Sequence, residues 1–396
     1  MTANDKIIPA ISFTTAGTGV SAKADELGMR PMQARAFEKR GEQYLLIESP
    51  PASGKSRALM FVALNKLTNQ GVRQAIICVP ERSIGASFGS EPLSKWGFYA
   101  DWVGRAAFLL RPVHVRLLDE LKTSAKLFAD ETTLPVLDPG RGRTKTGQLW
   151  AYARDDRPWG GVDPPGVAYI YAPDRKAEQP IKHLARFKGV LQVDGYGGYR
   201  PLAEKGEVKL AFCWAHVRRP FYELAAAGPA PIATEILQRI KALYAVEAEI
   251  RGMTADQRRA ARQDRSRPLL EAMEPWLRTK LQTVSQKGKL ADAIRYALAR
   301  WEGLTRFVCD GTIEIDSNTV ERSIRPIALT RKNALFAGSD GGAEHWAAIA
   351  SLVETCKLNG IDPEAYLADT ITRIVQGHPQ SRLGELLPWI YKAGVA

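Results

Sequence analysis

The run Lys188-Gly-Val-Leu-Gln-Val-Asp-Gly-Tyr-Gly-Gly-Tyr199 constrains this chain more than any other. Val190, Leu191 and Val193 make a short apolar segment that reads as a buried strand. Gly195, Gly197 and Gly198 end it directly after Asp194. The carboxylate is therefore expected at the strand's C-terminal tip, the edge at which open α/β sheets bind ligands. An acidic group there is costly to bury and useful when exposed. Asp-Gly is also an ordinary turn dipeptide, so the run alone fits a turn as well as a site. Its meaning depends on partners elsewhere in the chain.

Upstream, Ala125–Phe128 reads as a strand closing on Asp130 and Glu131, Gln148–Ala153 alternates as a second, and Val167–Tyr171 is a third. Lys176–Phe187 has helical periodicity. Three strands can meander antiparallel, and the helix lets the fourth run parallel to the first. Asp130 and Asp194 then stand at the tips of neighbouring strands, the ribonuclease-H-like arrangement. Lys209–Trp214 reads as a fifth strand, and Trp102–Leu121 as an amphipathic helix interrupted near Pro112. Phe221 to about Arg300 is helical in character. Phe307–Cys309 and Ile313–Ile315 read as short strands, and Glu344–Leu358 and Asp362–Val375 as helices.

Three stretches carry further chemistry. Asn318 and Glu321 have the spacing of a capping box, a purely structural explanation of the glutamate. Glu321 and Arg325 also share a helix face at i, i+4, with Arg331 and Lys332 beyond, as at a metal-and-phosphate site. Cys213-Trp-Ala-His216 could be half of a zinc site, yet no second pair stands at ligand spacing. A packed cysteine and a polar histidine near phosphate are expected instead. The arginine-rich stretch 250–268 reads as a solvated helix face or a DNA contact.

The front of the chain differs. Strand-like Gln43–Glu48, the loop Ser49-Pro-Pro-Ala-Ser-Gly-Lys-Ser56 and helix-like Arg57–Asn69 form the context of a phosphate loop, with Gly54, Lys55 and Ser56 as its phosphate contacts. Ser49 replaces the usual first glycine. Residues 28–98 resemble the start of a superfamily-two helicase through Gln33, Gly54-Lys55-Ser56 and Val79-Pro80. No acidic motif follows to hold magnesium and there is no second lobe. Weak phosphate binding is expected, and no use of ATP.

The 396 residues are enough for two or three domains. No apolar run approaches the ~20 residues of a membrane span, and the N-terminus lacks a signal-peptide pattern. The four cysteines are scattered, which suits a reduced cytoplasm. A net charge of +12, spread through the chain, suits nucleic acid.

From about Tyr99 onward the chain resembles the IS66 family of bacterial insertion-sequence transposases, of the DDE class. The matching motifs are Phe128-Ala-Asp-Glu-Thr132, Lys145-Thr-Gly-Gln-Leu-Trp150, Val193-Asp-Gly-Tyr196, Cys213-Trp-Ala-His-Val-Arg-Arg219, Asn318-Thr-Val-Glu-Arg-Ser-Ile-Arg-Pro326 and Arg331-Lys-Asn333. The resemblance implies Asp130, Asp194 and Glu321 as catalytic and metal-binding residues for two Mg2+ or Mn2+ ions. It implies His216, Arg218, Arg219, Arg325, Arg331 and Lys332 as DNA contacts. The implied activity is cleavage and strand transfer at element ends by a homo-oligomer on DNA, with helper proteins of the same element as further partners. The implied α/β fold is a ribonuclease-H-like core over 99–215 and 305–360. A helical insertion spans 216–304 and a helical tail 361–396, and a truncated P-loop fragment precedes the core at 1–98. Two departures stand out: Ser317 occupies a position often Asn, and the helicase-like fragment replaces the family's zinc-binding front. The alternatives are an inactive transposase-derived DNA-binding remnant and an ATP-binding helicase-like fragment.

Overall fold

The computed structural model describes residues 31–41, 62, 65–66, 99–138, 141, 143–204, 206–331 and 335–391. The chain divides into two compact units, Met1–Trp102 and Val103–Ala396. In the first, helix α1 (Pro31–Glu38) buries Gln33 and Ala36, and Val62, Asn65 and Lys66 are helical. The expected strands of the P-loop fragment, the loop residues Gly54, Lys55 and Ser56, and Lys332 of the second unit lie outside the described residues.

The second unit is a mixed α/β structure around a five-stranded sheet in the order β3-β2-β1-β4-β5. The strands are β1 (Lys126–Asp138), β2 (Arg143–Arg154), β3 (Gly166–Ala172), β4 (Gly189–Val193) and β5 (Val208–Phe212). β1, β2 and β3 pair antiparallel in a meander. β4 is parallel to β1, and β5 to β4. The meander and the parallel pairing of β4 with β1 are those expected from the strand and helix order.

Side chains alternate across the sheet, as the pleat requires. Leu127, Ala129, Trp150 and Tyr152 point to one face. There they pack with Leu110, Val113, Leu117 and Leu121 of helix α2 (Tyr99–Leu121). Phe128, Leu134, Leu149 and Ala151 point to the other, against Val320, Ile324 and Ile327 of the later helix Asn318–Thr330. Each such buried Leu, Ile or Phe contributes roughly 1.5–3 kcal/mol. Pro112 does not interrupt α2: the buried stripe on either side of it holds the helix through.

Between β3 and β4 the expected helix shrinks to α3 (Glu178–His183), and Arg186, at a left-handed φ of 72°, turns the chain before Phe187. After the short helix α4 (Arg200–Glu204) and β5, Trp214 opens a helix instead of ending a strand. Helices α5 (Trp214–Ala227), α6 (Pro231–Glu249), α7 (Ala255–Ala261), α8 (Arg267–Thr283) and α9 (Lys289–Leu298) follow, with the short α10 (Trp301–Thr305) after them. Trp214, Phe221, Ile240, Met273 and Ile294 share a separate core there. α11 (Asn318–Thr330), α12 (Asp340–Leu358) and α13 (Pro363–Val375) complete the unit.

The two short strands expected at Phe307–Cys309 and Ile313–Ile315 are absent. Arg306–Val308 is a 3-10 turn and residues 313–315 are irregular. Their apolar side chains are buried, which is what made them resemble strands. The backbone of Glu314 finds a side-chain partner in place of a ladder. Its amide donates to Gln192 Oε1 and its carbonyl accepts from Gln192 Nε2, both at 2.9 Å.

Candidate active site

β1 and β4 pair in parallel from Lys126–Val190 to Phe128–Gln192. Two residues further along that register, Asp130 comes beside Asp194. Asp194 directly follows the last residue of β4, as expected. Asp130 is not at a strand tip: β1 runs on to Asp138 because its other edge stays paired with β2 throughout. It lies where β4 stops, so the parallel edge opens at both aspartates.

Gly195 makes the exit from β4. Its φ is 109°, and a Cβ there would come within 2.6 Å of Arg300 Nε and 2.7 Å of Tyr296 Oη. The close approach is used: Tyr296 Oη donates to the Asp194 carbonyl at 2.7 Å and Arg300 Nη2 to the Gly195 carbonyl at 3.0 Å. The Asp194 carboxylate accepts the Tyr196 amide at 2.8 Å, a local Asx turn. The helical segment thus grips the backbone of the acidic loop.

Asp130 and Glu131 point to opposite faces. Glu131 accepts Arg175 Nε at 2.7 Å and Tyr199 Oη at 2.9 Å. Burial pushes its carboxyl up despite the arginine. Asp130 accepts the Glu131 amide at 2.8 Å. Burial first, then the charges of Glu131, Asp194 and Glu321, raise its pKa to about 7.

Glu321 reaches this neighbourhood from the first turn of α11. Asn318 does not cap that helix: Ser317 is at the N-cap, with no side-chain capping bond. Asn318 instead donates to both carboxylate oxygens of Asp316, at 3.1 Å from its amide and 2.7 Å from Nδ2. The capping-box explanation of Glu321 therefore fails. Its Oε1 accepts from Ser317 Oγ at 3.3 Å and lies 3.7 Å from His216 Nδ1. Glu321, Asn318, Arg322 and Arg325 line one pocket.

Among the expected DNA contacts, Arg218, Arg219 and Arg325 are exposed. The Arg218 guanidinium stacks 5.1 Å from the Tyr222 ring. Arg331 is committed to β1, donating to the backbone carbonyl of Thr133 and to its Oγ1 at 2.8 Å. Arg322 was not singled out from the sequence, yet it is exposed beside Arg325 at the pocket; its i, i+3 spacing was the available signal.

Sequence reasoning also missed the surroundings of Cys213. Ser317 donates its amide to Cys213 Sγ at 3.3 Å, and Trp214 donates to the Ile315 carbonyl at 3.1 Å. These bonds draw the start of α11 to the start of α5. Among the described residues, the His, Cys, Asp and Glu set that converges is Cys213, His216 and Glu321, with ligand atoms within 4.8 Å of one another. Asp130, outside that set, has both Asp194 and Glu321 as electrostatic neighbours.

Residues 95–345 match the family described as Transposase IS66 family, and residues 351–389 match its IS66 C-terminal element. The chain belongs to the IS66 transposase family. Asp130, Asp194 and Glu321 all fall within the first match. The chain is 48% identical over 300 residues to "Uncharacterized protein y4qI" of Sinorhizobium fredii, covering 74% of this chain and 56% of that one. It is 47% identical over 299 residues to "Uncharacterized protein y4jD" of the same organism, covering 74% and 58%. An 85-residue stretch is 64% identical to "Putative ATP-dependent helicase YeeB" of Bacillus subtilis, 22% of this chain and 14% of that protein. The IS66 chain thus spans little more than half the length of the two Sinorhizobium relatives. Among the described residues no helix is long and apolar enough to cross a membrane.

Proposed function

We propose that the chain is a DDE-type transposase that cleaves DNA at insertion-sequence ends and joins the freed 3′ end to target DNA. Asp130, Asp194 and Glu321 are its metal-holding carboxylates on a ribonuclease-H-like core. The order β3-β2-β1-β4-β5, with β2 alone running opposite to the other four strands, supports that core. The observation that carries the reading is Asp130: a half-buried carboxyl whose pKa is raised to about 7, by burial first and then by the charges of Glu131, Asp194 and Glu321. A cation relieves the crowding of those charges. The all-oxygen donor set suits Mg2+ or Mn2+, hard ions that keep some of their waters.

Divalent ions held by Asp130, Asp194 and Glu321 would activate an attacking oxygen and stabilise a leaving one. The chain's own residues do the rest. Asp130 and Asp194 present carboxylates from adjacent parallel strands. Tyr296 and Arg300 fix the loop that carries Asp194. Arg322 and Arg325, beside Glu321, are placed to receive backbone phosphates.

The test is to incubate the purified chain with labelled candidate end DNA and Mg2+ or Mn2+. Cleavage and strand-transfer products are expected. Asp194→Asn keeps the side-chain shape, removes a ligand charge and should abolish them with unfolding behaviour unchanged. Products that persist in Asp194→Asn would refute the site. The alternative reading is an inactive transposase-derived DNA-binding remnant. DNA binding by the wild type without any cleavage would support that reading.

A further inference from the structure

We propose that Cys213, His216 and Glu321 form a zinc site at the meeting point of α5 and α11. It takes a softer ion than the oxygen donors of Asp130 and Asp194, and it does not rest on the transposase reading.

The donor atoms lie within 4.8 Å of one another. Tetrahedral zinc, bound at about 2.3 Å to sulfur and 2.0–2.2 Å to nitrogen and oxygen, brings its ligands to roughly 3.3–3.7 Å separations. His216 Nδ1 and Glu321 Oε1 are already 3.7 Å apart, too far for a hydrogen bond. His216 Nδ1 is buried and has no hydrogen-bond partner. An orphaned buried ring nitrogen carries a desolvation cost that a metal bond removes.

Burial pushes the Cys213 thiol up, and the amides around its sulfur oppose that. Cys213 is 1% exposed. Its sulfur accepts the Ser317 amide at 3.3 Å and faces the His216 amide. It stands at the N-cap of α5, where the helix dipole favours negative charge. Glu321 occupies the first turn of α11, so two helix N-termini bring positive ends to one point. Sulfur, imidazole and carboxylate together select a borderline ion such as zinc over magnesium. Three protein ligands leave a fourth position to solvent, which can enter because His216 and Glu321 are only partly buried. Glu321 is common to this set and to the aspartate neighbourhood, so an ion here fixes where its carboxylate stands.

Cobalt replaces zinc in such sites and absorbs light, so Co2+ alone is the probe. The full chain, stripped with chelator and free of DNA and magnesium, is titrated with Co2+. A thiolate-to-cobalt charge-transfer band saturating at one equivalent is expected, together with the visible bands of tetrahedral cobalt, and Zn2+ should abolish both. Cys213→Ser should lose the charge-transfer band, while Cys309→Ser, which changes an exposed cysteine, keeps it. His216→Asn and Glu321→Gln should each weaken cobalt binding by about tenfold or more. No charge-transfer band in the wild type, or a band retained in Cys213→Ser, overturns the proposal. If Cys213→Ser proves unfolded by circular dichroism, unchanged affinity in His216→Asn and Glu321→Gln overturns it equally.

Discussion

Asp130 and Glu131 are adjacent in the chain and opposite in circumstance. The pleat sends Glu131 to the face where Arg175 and Tyr199 meet it, and Asp130 to the face that α11 approaches. The charge of Glu131 is met by a cation. Burial, Glu131, Asp194 and Glu321 raise Asp130 to about 7, and the Glu131 amide only partly offsets them. An ordinary Asp titrates near 3.9. A carboxyl raised on folding stabilises the fold fully below about pH 4, and that contribution is lost as pH rises through about 7. The chain without divalent ions should therefore lose stability between pH 5 and pH 8. Asp130→Asn removes the titration, so it should flatten this loss and be more stable than wild type at pH 8, by on the order of 1–3 kcal/mol. Mg2+ should restore the wild type more than the variant. Thermal melts at pH 5 and pH 8, with and without Mg2+, check this; identical pH slopes for the two proteins would show that Asp130 is not the strained group. The sequence pointed to both aspartates because apolar strands end on them. It could not show that β1 continues past Asp130, since Pro135 interrupts the alternation of buried Leu134 and Val136, and the strand is held there by its pairing with β2.

The arginine-rich stretch 250–268 shows what an element hides when read alone. Neither a solvated face nor a DNA contact describes its centre. Arg258 is 2% exposed and bonds Glu314 Oε1 at 2.7 Å; Arg262 is fully buried. Arg262 binds Glu247 through two 2.7 Å bonds and the carbonyls of Phe307 and Asp310 at 2.9 and 3.0 Å. Its partners are far away in sequence, so local charge pattern could not reveal them. The same blindness explains the two false strands at 307–315, where burial mimics a ladder, and the missed meeting of Cys213 with α11. What was legible was what local period and order control: the meander, the parallel return to β4, and the helical character of the segment after Phe221. The backbone adjusts as well. Pro268 cannot donate to the Asp264 carbonyl and its ring crowds it, and a wider π turn at Arg262–Ser266 precedes α8. Removing one partner from a buried ion pair costs about 3–5 kcal/mol. Arg262→Ala should therefore lower the denaturant midpoint by a free energy of that size, with DNA affinity per folded molecule little changed. A variant that folds normally but loses DNA binding would return Arg262 to the DNA surface.

At the scale of the whole molecule the governing quantity is charge. The chain carries +12, and exposed Arg218, Arg219, Arg322 and Arg325 lie on the two helices that meet at Glu321. Binding that rests on phosphate contacts falls linearly in log affinity against log salt, with a slope of about −0.9 per phosphate neutralised on duplex DNA. Such contacts position a protein but carry no base information. Arg331, tied to Thr133, is not expected to add to the slope. The chain should thus bind random and element-end duplexes with similar affinity at moderate salt, and both affinities should drop steeply as salt rises. The double variant Arg322→Ala, Arg325→Ala should weaken both duplexes equally and make the slope shallower by about 2. Fluorescence anisotropy on the two labelled duplexes across a salt series reads both effects. A preference of several orders of magnitude for element ends would show that this chain reads base edges itself. An unchanged slope in the double variant would move the phosphate track away from the Glu321 pocket. The two results are separable, because removing a phosphate contact alters salt dependence on every sequence, whereas removing a base contact alters affinity on one.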